Sequence, residues 1–88
     1  MNTIQNNIID FKGNIQDGKK NGNGVAIFNN GDKYSGSWEN DIPHGSGTYF
    51  FHNAGYYHGN FQKGKKNGEG IFDWGNGLKY EGEWYNDV

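Results

Sequence analysis

The sequence predicts an all-β protein: a single elongated, twisted antiparallel sheet made by stacking copies of one hairpin. Three observations predict it. A motif recurs every 23 residues along most of the 88-residue chain. Within each copy, large apolar and small or polar residues alternate with the period of two expected of a strand. Ten of the 16 glycines, set against one proline, fall at fixed places in the repeat, and the spacing is not collagen's three-residue period.

The elements follow in order. Phe11-Lys12-Gly13-Asn14-Ile15 returns as Tyr34-Ser35-Gly36-Ser37-Trp38, as Tyr57-His58-Gly59-Asn60-Phe61 and as Tyr80-Glu81-Gly82-Glu83-Trp84. Between these, Gly22-x-Gly24 returns as Gly45-x-Gly47 and Gly68-x-Gly70. Three full units span residues 11–33, 34–56 and 57–79, and a partial unit spans 80–88. Residues 1–10 read as a lead-in that supplies at most a short capping strand.

Each unit reads as a hairpin. The motif itself is the first strand. Asp17-Gly18, Asn40-Asp41 and Lys63-Gly64 make the turn, because such pairs tolerate the positive φ of tight hairpins. The second strand is expected over Gly24–Phe28, Gly47–Phe51 and Gly70–Trp74. It ends in a further turn at Asn29-Asn30-Gly31, His52-Asn53-Ala54-Gly55 and Gly75-Asn76-Gly77. A helix is excluded: no window has a 3.6-residue period, and each interior glycine would cost a helix about 1 kcal/mol.

Glycine weakens a strand, so one that recurs there needs a reason. The expected reason is space: a ring on the neighbouring strand can lie over a backbone without Cβ. The structural glycines are then Gly13, Gly22, Gly24, Gly36, Gly45, Gly47, Gly59, Gly68, Gly70 and Gly82. The structural aromatic and apolar columns are Phe11, Tyr34, Tyr57 and Tyr80, and Ile15, Trp38, Phe61 and Trp84. At roughly 4.8 Å between strands, each unit advances the sheet by about 10 Å.

These residues resemble the MORN repeat (membrane occupation and recognition nexus), whose pattern is Tyr-x-Gly-x-Trp, a turn glycine, then Gly-x-Gly. Tyr80-Glu81-Gly82-Glu83-Trp84 is a complete match to the opening, and Tyr34–Trp38 with Gly45-Ser46-Gly47 is nearly as good. The resemblance covers residues 11–88. Unit one departs from the pattern at Ile15 and Ala26. Units two and four carry Asp41 and Asp87 at the turn glycine. The resemblance implies association with proteins or membranes, as in the lipid-kinase, methyltransferase, membrane-junction and cytoskeletal proteins that carry such arrays. It implies no catalytic residue.

Composition narrows the function classes. With no Cys, neither a disulfide nor a thiolate metal site is available. A net charge of -2 and the lack of any Arg argue against nucleic-acid recognition. The start of the chain lacks the basic-then-apolar pattern of a secretory signal. A cytoplasmic location, with cytoskeletal or membrane association, is therefore expected.

Candidate chemistry is sparse. Gly-x-Gly lacks the strand–turn–helix context of a dinucleotide fingerprint and the Gly-Lys-Ser/Thr of a P-loop. His44, His52 and His58 share no ligand spacing on one strand face. Glu81 and Glu83 lie on one face, but a single-layer sheet has no deep pocket to perturb them. No catalytic, cofactor-binding or metal-binding residue is expected, and no cofactor.

Two features point to partners. Lys19, Lys20, Lys63, Lys65 and Lys66 fall in the turn columns and could face anionic lipid. At about 1 kcal/mol per lysine they would give an affinity of roughly 0.1–1 mM at best. Val25, Ile27, Phe50 and Ile71 alternate oppositely to the other apolar residues of their strands. One sheet layer cannot cover both its faces, so these residues are expected to form an exposed partner surface. The leading reading is a non-enzymatic module for protein–protein interaction, scaffolding or self-assembly, with a homo-oligomer or a longer array expected. The alternative is a peripheral module that binds anionic lipid weakly through the turn lysines.

Overall fold

The computed structural model describes residues 7–88. They form one open seven-stranded antiparallel sheet in sequence order. The strands are β1 (Ile8–Gln16), β2 (Lys19–Phe28), β3 (Lys33–Glu39), β4 (Ile42–Phe50), β5 (Tyr56–Gln62), β6 (Lys65–Asp73) and β7 (Lys79–Trp84). The sheet is elongated, with extents of 40 × 24 × 17 Å. Strand β1 starts inside the stretch read as a lead-in; residues 1–6 of that stretch lie outside the described residues.

The three hairpin turns adopt the left-handed conformation that a two-residue loop demands. Asp17 and Gly18 have φ of 53° and 78°, Asn40 and Asp41 49° and 71°, and Lys63 and Gly64 52° and 81°. Because each turn is so tight, the return strand resumes at once. The second strands therefore begin at Lys19, Ile42 and Lys65, each five residues before the expected Gly24, Gly47 and Gly70. Phe51 and Trp74, expected as the last strand residues, lie one residue beyond β4 and β6.

Pairing is set by glycine. Gly13, Gly24, Gly36, Gly47, Gly59, Gly70 and Gly82 stand opposite one another in sequence across all seven strands. Cross-strand partners share a face, so this row lies with the rings on one of the sheet's two surfaces. That surface carries the rings of Phe11, Tyr34, Trp38, Tyr49, Tyr57, Phe61, Phe72, Tyr80 and Trp84, with Ala26 buried among them. The other carries mostly polar residues.

The ring face makes its own core. Tyr34 meets Trp38 and Phe61 edge-on, each at 5.2 Å between centroids. One unit later Tyr57 meets Phe61 at 5.1 Å and Trp84 at 5.4 Å in the same way. Edge-to-face pairs of this kind contribute about 0.5–1.5 kcal/mol beyond area burial. Tyr34 and Tyr57 are fully buried, and their hydroxyls donate to the carbonyls of Ser37 and Asn60 three residues on.

Glycine makes room for these rings. A Cβ at Gly47 would stand 2.2 Å from the Tyr34 hydroxyl, and one at Gly70 2.3 Å from that of Tyr57. Gly36 serves a different contact: its Cβ would meet the Gly47 Cα at 2.4 Å, so it permits close approach of the backbones themselves.

The ring columns end unevenly. Ile15, expected in the structural column, is 56% exposed because β1 is an edge strand: Trp38, Phe61 and Trp84 each pack on a ring two strands earlier, and no described strand precedes β1 to supply one. At the other edge Tyr80 is 42% exposed, where Tyr34 and Tyr57 are 0%. The interior tyrosines are covered by a ring two strands further on, and β7 ends the described sheet.

Candidate interaction surfaces

The turn lysines do not form one free basic edge. Lys20 and Lys66 lie on strands, not in turns, and their parity puts them on the ring face opposite Ile15 and Phe61. The Lys20 ammonium sits 5.2 Å from the Phe11 ring centre and 3.5 Å from the Asp41 carboxylate. The Lys66 ammonium is 4.8 Å from the Trp84 ring centre, 5.7 Å from that of Tyr57 and 3.3 Å from the Asp87 carboxylate. Lys66 is only 1% exposed, which removes it as a lipid contact: its charge is held by Asp87 and by ring faces, not by solvent. Lys19 and Lys63 remain exposed and Lys65 half-exposed.

These pairs join consecutive units. Asp41 N–H donates to the Lys20 carbonyl at 3.0 Å, and Lys20 N–H donates to the Asp41 carboxylate at 2.8 Å. Asp87 and Lys66 repeat both contacts, at 3.0 and 2.7 Å. Between units two and three the same positions are Pro43 and Gly64, and only the backbone bond remains, at 2.9 Å. The aspartates at the usual turn glycine are thus one half of a latch whose other half is the lysine of the preceding unit. The hydrogen bond from Lys20 N–H, with further help from the ammonium groups of Lys20 and Lys19, holds the Asp41 carboxyl below its ordinary value. Burial pushes the Lys66 ammonium down, and Asp87 partly offsets that. Burial also pushes the Tyr57 hydroxyl up to about 12 and raises that of Tyr34 still further.

A second network carries no sequence signal of its own beyond an acid in one unit only. Asp32, 8% exposed, accepts hydrogen bonds from the Tyr49 hydroxyl, from His52 N–H at 2.7 Å and from the Asn30 amide at 3.1 Å. Its unit-two and unit-three equivalents are Gly55 and Leu78. The network ties the loop after β2 to that after β4. It is a fully partnered structural carboxylate.

The face opposite the rings holds the four residues named as a partner surface. Val25 pairs with Ser35, Ile27 with Lys33, Phe50 with Tyr56 and Ile71 with His58. Val25 and Phe50 are 37% and 38% exposed; Ile27 and Ile71 are half-buried. Around them the charge is uneven. Lys12 and Lys33 lie towards β1, with the Lys33 ammonium 4.8 Å from the Phe50 ring centre. Glu69, Glu81 and Glu83 lie towards β7, where Glu69 stands directly opposite Glu83 at the rim of a shallow depression floored by Gly59, Gly70 and Gly82. His58 is exposed and shares a hydrogen bond with Thr48 at 2.6 Å. Among the described residues no three His or acidic side chains converge as metal ligands.

The MORN repeat family model matches residues 11–33, 34–55, 57–79 and 80–88. No curated protein matches the chain. MORN repeats are modules for interaction with proteins or membranes, and the family is not one of enzymes. With a hairpin array whose repeats coincide with those matches, the chain belongs to the MORN-repeat family.

Proposed function

We propose that this chain is a non-enzymatic protein-interaction and scaffold module that binds through the face opposite its rings. The observation that carries the reading is the fate of the two sets of candidate residues. Lys66 is buried and Lys20 is latched to Asp41, so the basic edge is reduced to Lys19, Lys63 and Lys65. Val25 and Phe50 stay exposed on a face with no covering layer among the described residues. Exposed apolar groups rimmed by polar ones suit a protein partner. These three lysines would contribute at most roughly 3 kcal/mol towards an anionic bilayer, which is screened at physiological salt.

The test uses the chain as bait alongside its Phe50→Glu variant, with vesicle flotation in parallel. The reading expects a captured protein partner that the variant loses while keeping its melting temperature, and no flotation with phosphatidylserine vesicles at physiological salt. Headgroup-selective flotation abolished by Lys19→Glu with Lys65→Glu, and no capture dependent on Phe50, would overturn it in favour of the lipid reading.

A further inference from the structure

We infer that the face opposite the rings is self-complementary and that a second copy of this chain packs on it, two sheets face to face about a two-fold axis running along β4. The inference rests on the reading that this face is the binding face, and it names one occupant.

The register of the strands makes this face self-complementary. An axis parallel to the strands keeps each residue at its level along the strand but exchanges the two ends of the sheet. It therefore sets β1 on β7 of the second copy, β2 on β6 and β3 on β5. One level of this face reads, across the sheet, Lys12, Val25, Ser35, Thr48, His58, Ile71, Glu81. Folded about β4, Lys12 meets Glu81 of the second copy and Val25 meets Ile71. The next level begins with Asp10 and ends with Lys79, which meet as a second unlike pair. At that level Lys33 meets the ring of Tyr56, a cation over an aromatic face, and Phe50 on the axis meets itself. One contact opposes this: Ile27 meets Asp73, which is already beside Lys79 at 4.0 Å.

The alternative two-fold, across the strands, is worse. It inverts each strand about the glycine row and so sets Glu81 against Glu83 of the second copy. Like charges directly opposed are unfavourable, so electrostatics selects the first axis. Every contact recurs twice, as in any isologous interface. Packed sheets lie about 10 Å apart with strands within about 30°, a gap that lysine and glutamate side chains span. The molecule extends over 40 × 24 × 17 Å, and a standard interface takes roughly 800 Å² per partner.

The experiment is sedimentation equilibrium on the whole chain from micromolar to high micromolar concentration, with circular dichroism to show that each variant is folded. The wild type should dimerise, and Phe50→Glu should be monomeric. Lys12→Glu and Glu81→Lys alone should each weaken self-association on the order of tenfold, because each turns two unlike pairs into like ones. An equimolar mixture of these two variants should form a heterodimer, since each then presents the charge that the other lacks. A wild type that stays monomeric throughout overturns the inference, and so does a dimer indifferent to Phe50→Glu and to the charge mixture, which would place the contact elsewhere. Either result leaves capture of a different protein by this face intact as a separate matter.

Discussion

Replacing Gly47 with alanine tests how the ring face is built. The new Cβ would lie 2.2 Å from the Tyr34 hydroxyl oxygen, 2.5 Å from Cζ and 2.6 Å from Cε1. Ordinary carbon contacts begin near 3.5 Å, so the ring must retreat by about 1 Å. It has nowhere to go: Tyr34 is 0% exposed and is flanked by Trp38 and Phe61. Its 2.8 Å bond to the Ser37 carbonyl would be lost with the move. Overpacking of this kind costs about 1–3 kcal/mol and the hydrogen bond about 1 kcal/mol. The lower entropy of the unfolded alanine chain returns about 0.4–1 kcal/mol. The net loss is about 2–3 kcal/mol, or roughly 10–20 °C in a domain this size. Gly24→Ala should cost less, because its ring, Phe11, is half-exposed on edge strand β1 and has no hydroxyl bond to break. Thermal melts followed by far-ultraviolet circular dichroism measure both. A Gly47→Ala melt within about 2 °C of wild type, or a larger loss for Gly24→Ala, would refute the ring-over-glycine account.

Three further predictions concern buried polar groups and the central tryptophan. Trp38→Ala removes a 4%-exposed ring that touches Phe11 and Tyr34 and donates to the Gly24 carbonyl at 3.1 Å; urea unfolding should show a loss of about 3–5 kcal/mol. Asp87→Ala leaves the Lys66 ammonium buried without its carboxylate and should cost on the order of 3 kcal/mol, whereas Lys66→Met removes the charge as well and should cost less in the same assay. Tyr57 keeps its proton to about pH 12 when folded, while the unfolded tyrosine loses it near 10. The unfolded state then binds fewer protons, so stability falls as pH rises from about 10 to about 12, and Tyr57→Phe should flatten that fall in melts taken across the window.

The architecture was legible because it is written four times. The 23-residue period, the two-residue turns and the glycines beneath the rings all follow from residue types and their spacing. The placement of the lysines was not. Lys19-Lys20 and Lys65-Lys66 follow a turn pair and look like solvated turn charges, yet the chain re-enters the strand immediately after Gly18 and Gly64. Parity with Gly22 and Gly24 then puts Lys20 on the ring face, and the same holds for Lys66. A sequence signal did exist: Lys20 and Lys66 are 46 residues apart, Asp41 and Asp87 are also 46 apart, and both members change together to Pro43 and Gly64 in the unit between. Ile15 and Tyr80 were placed in buried columns by their motif alone. Their exposure comes from sitting on edge strands, where a column has a ring on one side only. Asp32 could be picked out only by its difference from Gly55 and Leu78, since the partner that explains it, Tyr49, lies 17 residues on.

The central claim is that partners meet the face turned away from the rings, and side-chain footprinting by hydroxyl radicals tests it most directly. The chain is labelled alone at low concentration, then at the concentration or with the partner that gives a complex, and modification is read residue by residue. The account predicts that Phe50 and Tyr56 become protected while Trp74 and Tyr80, exposed on the ring face at 45% and 42%, keep their reactivity. Protection of Trp74 and Tyr80 with Phe50 unchanged would contradict it.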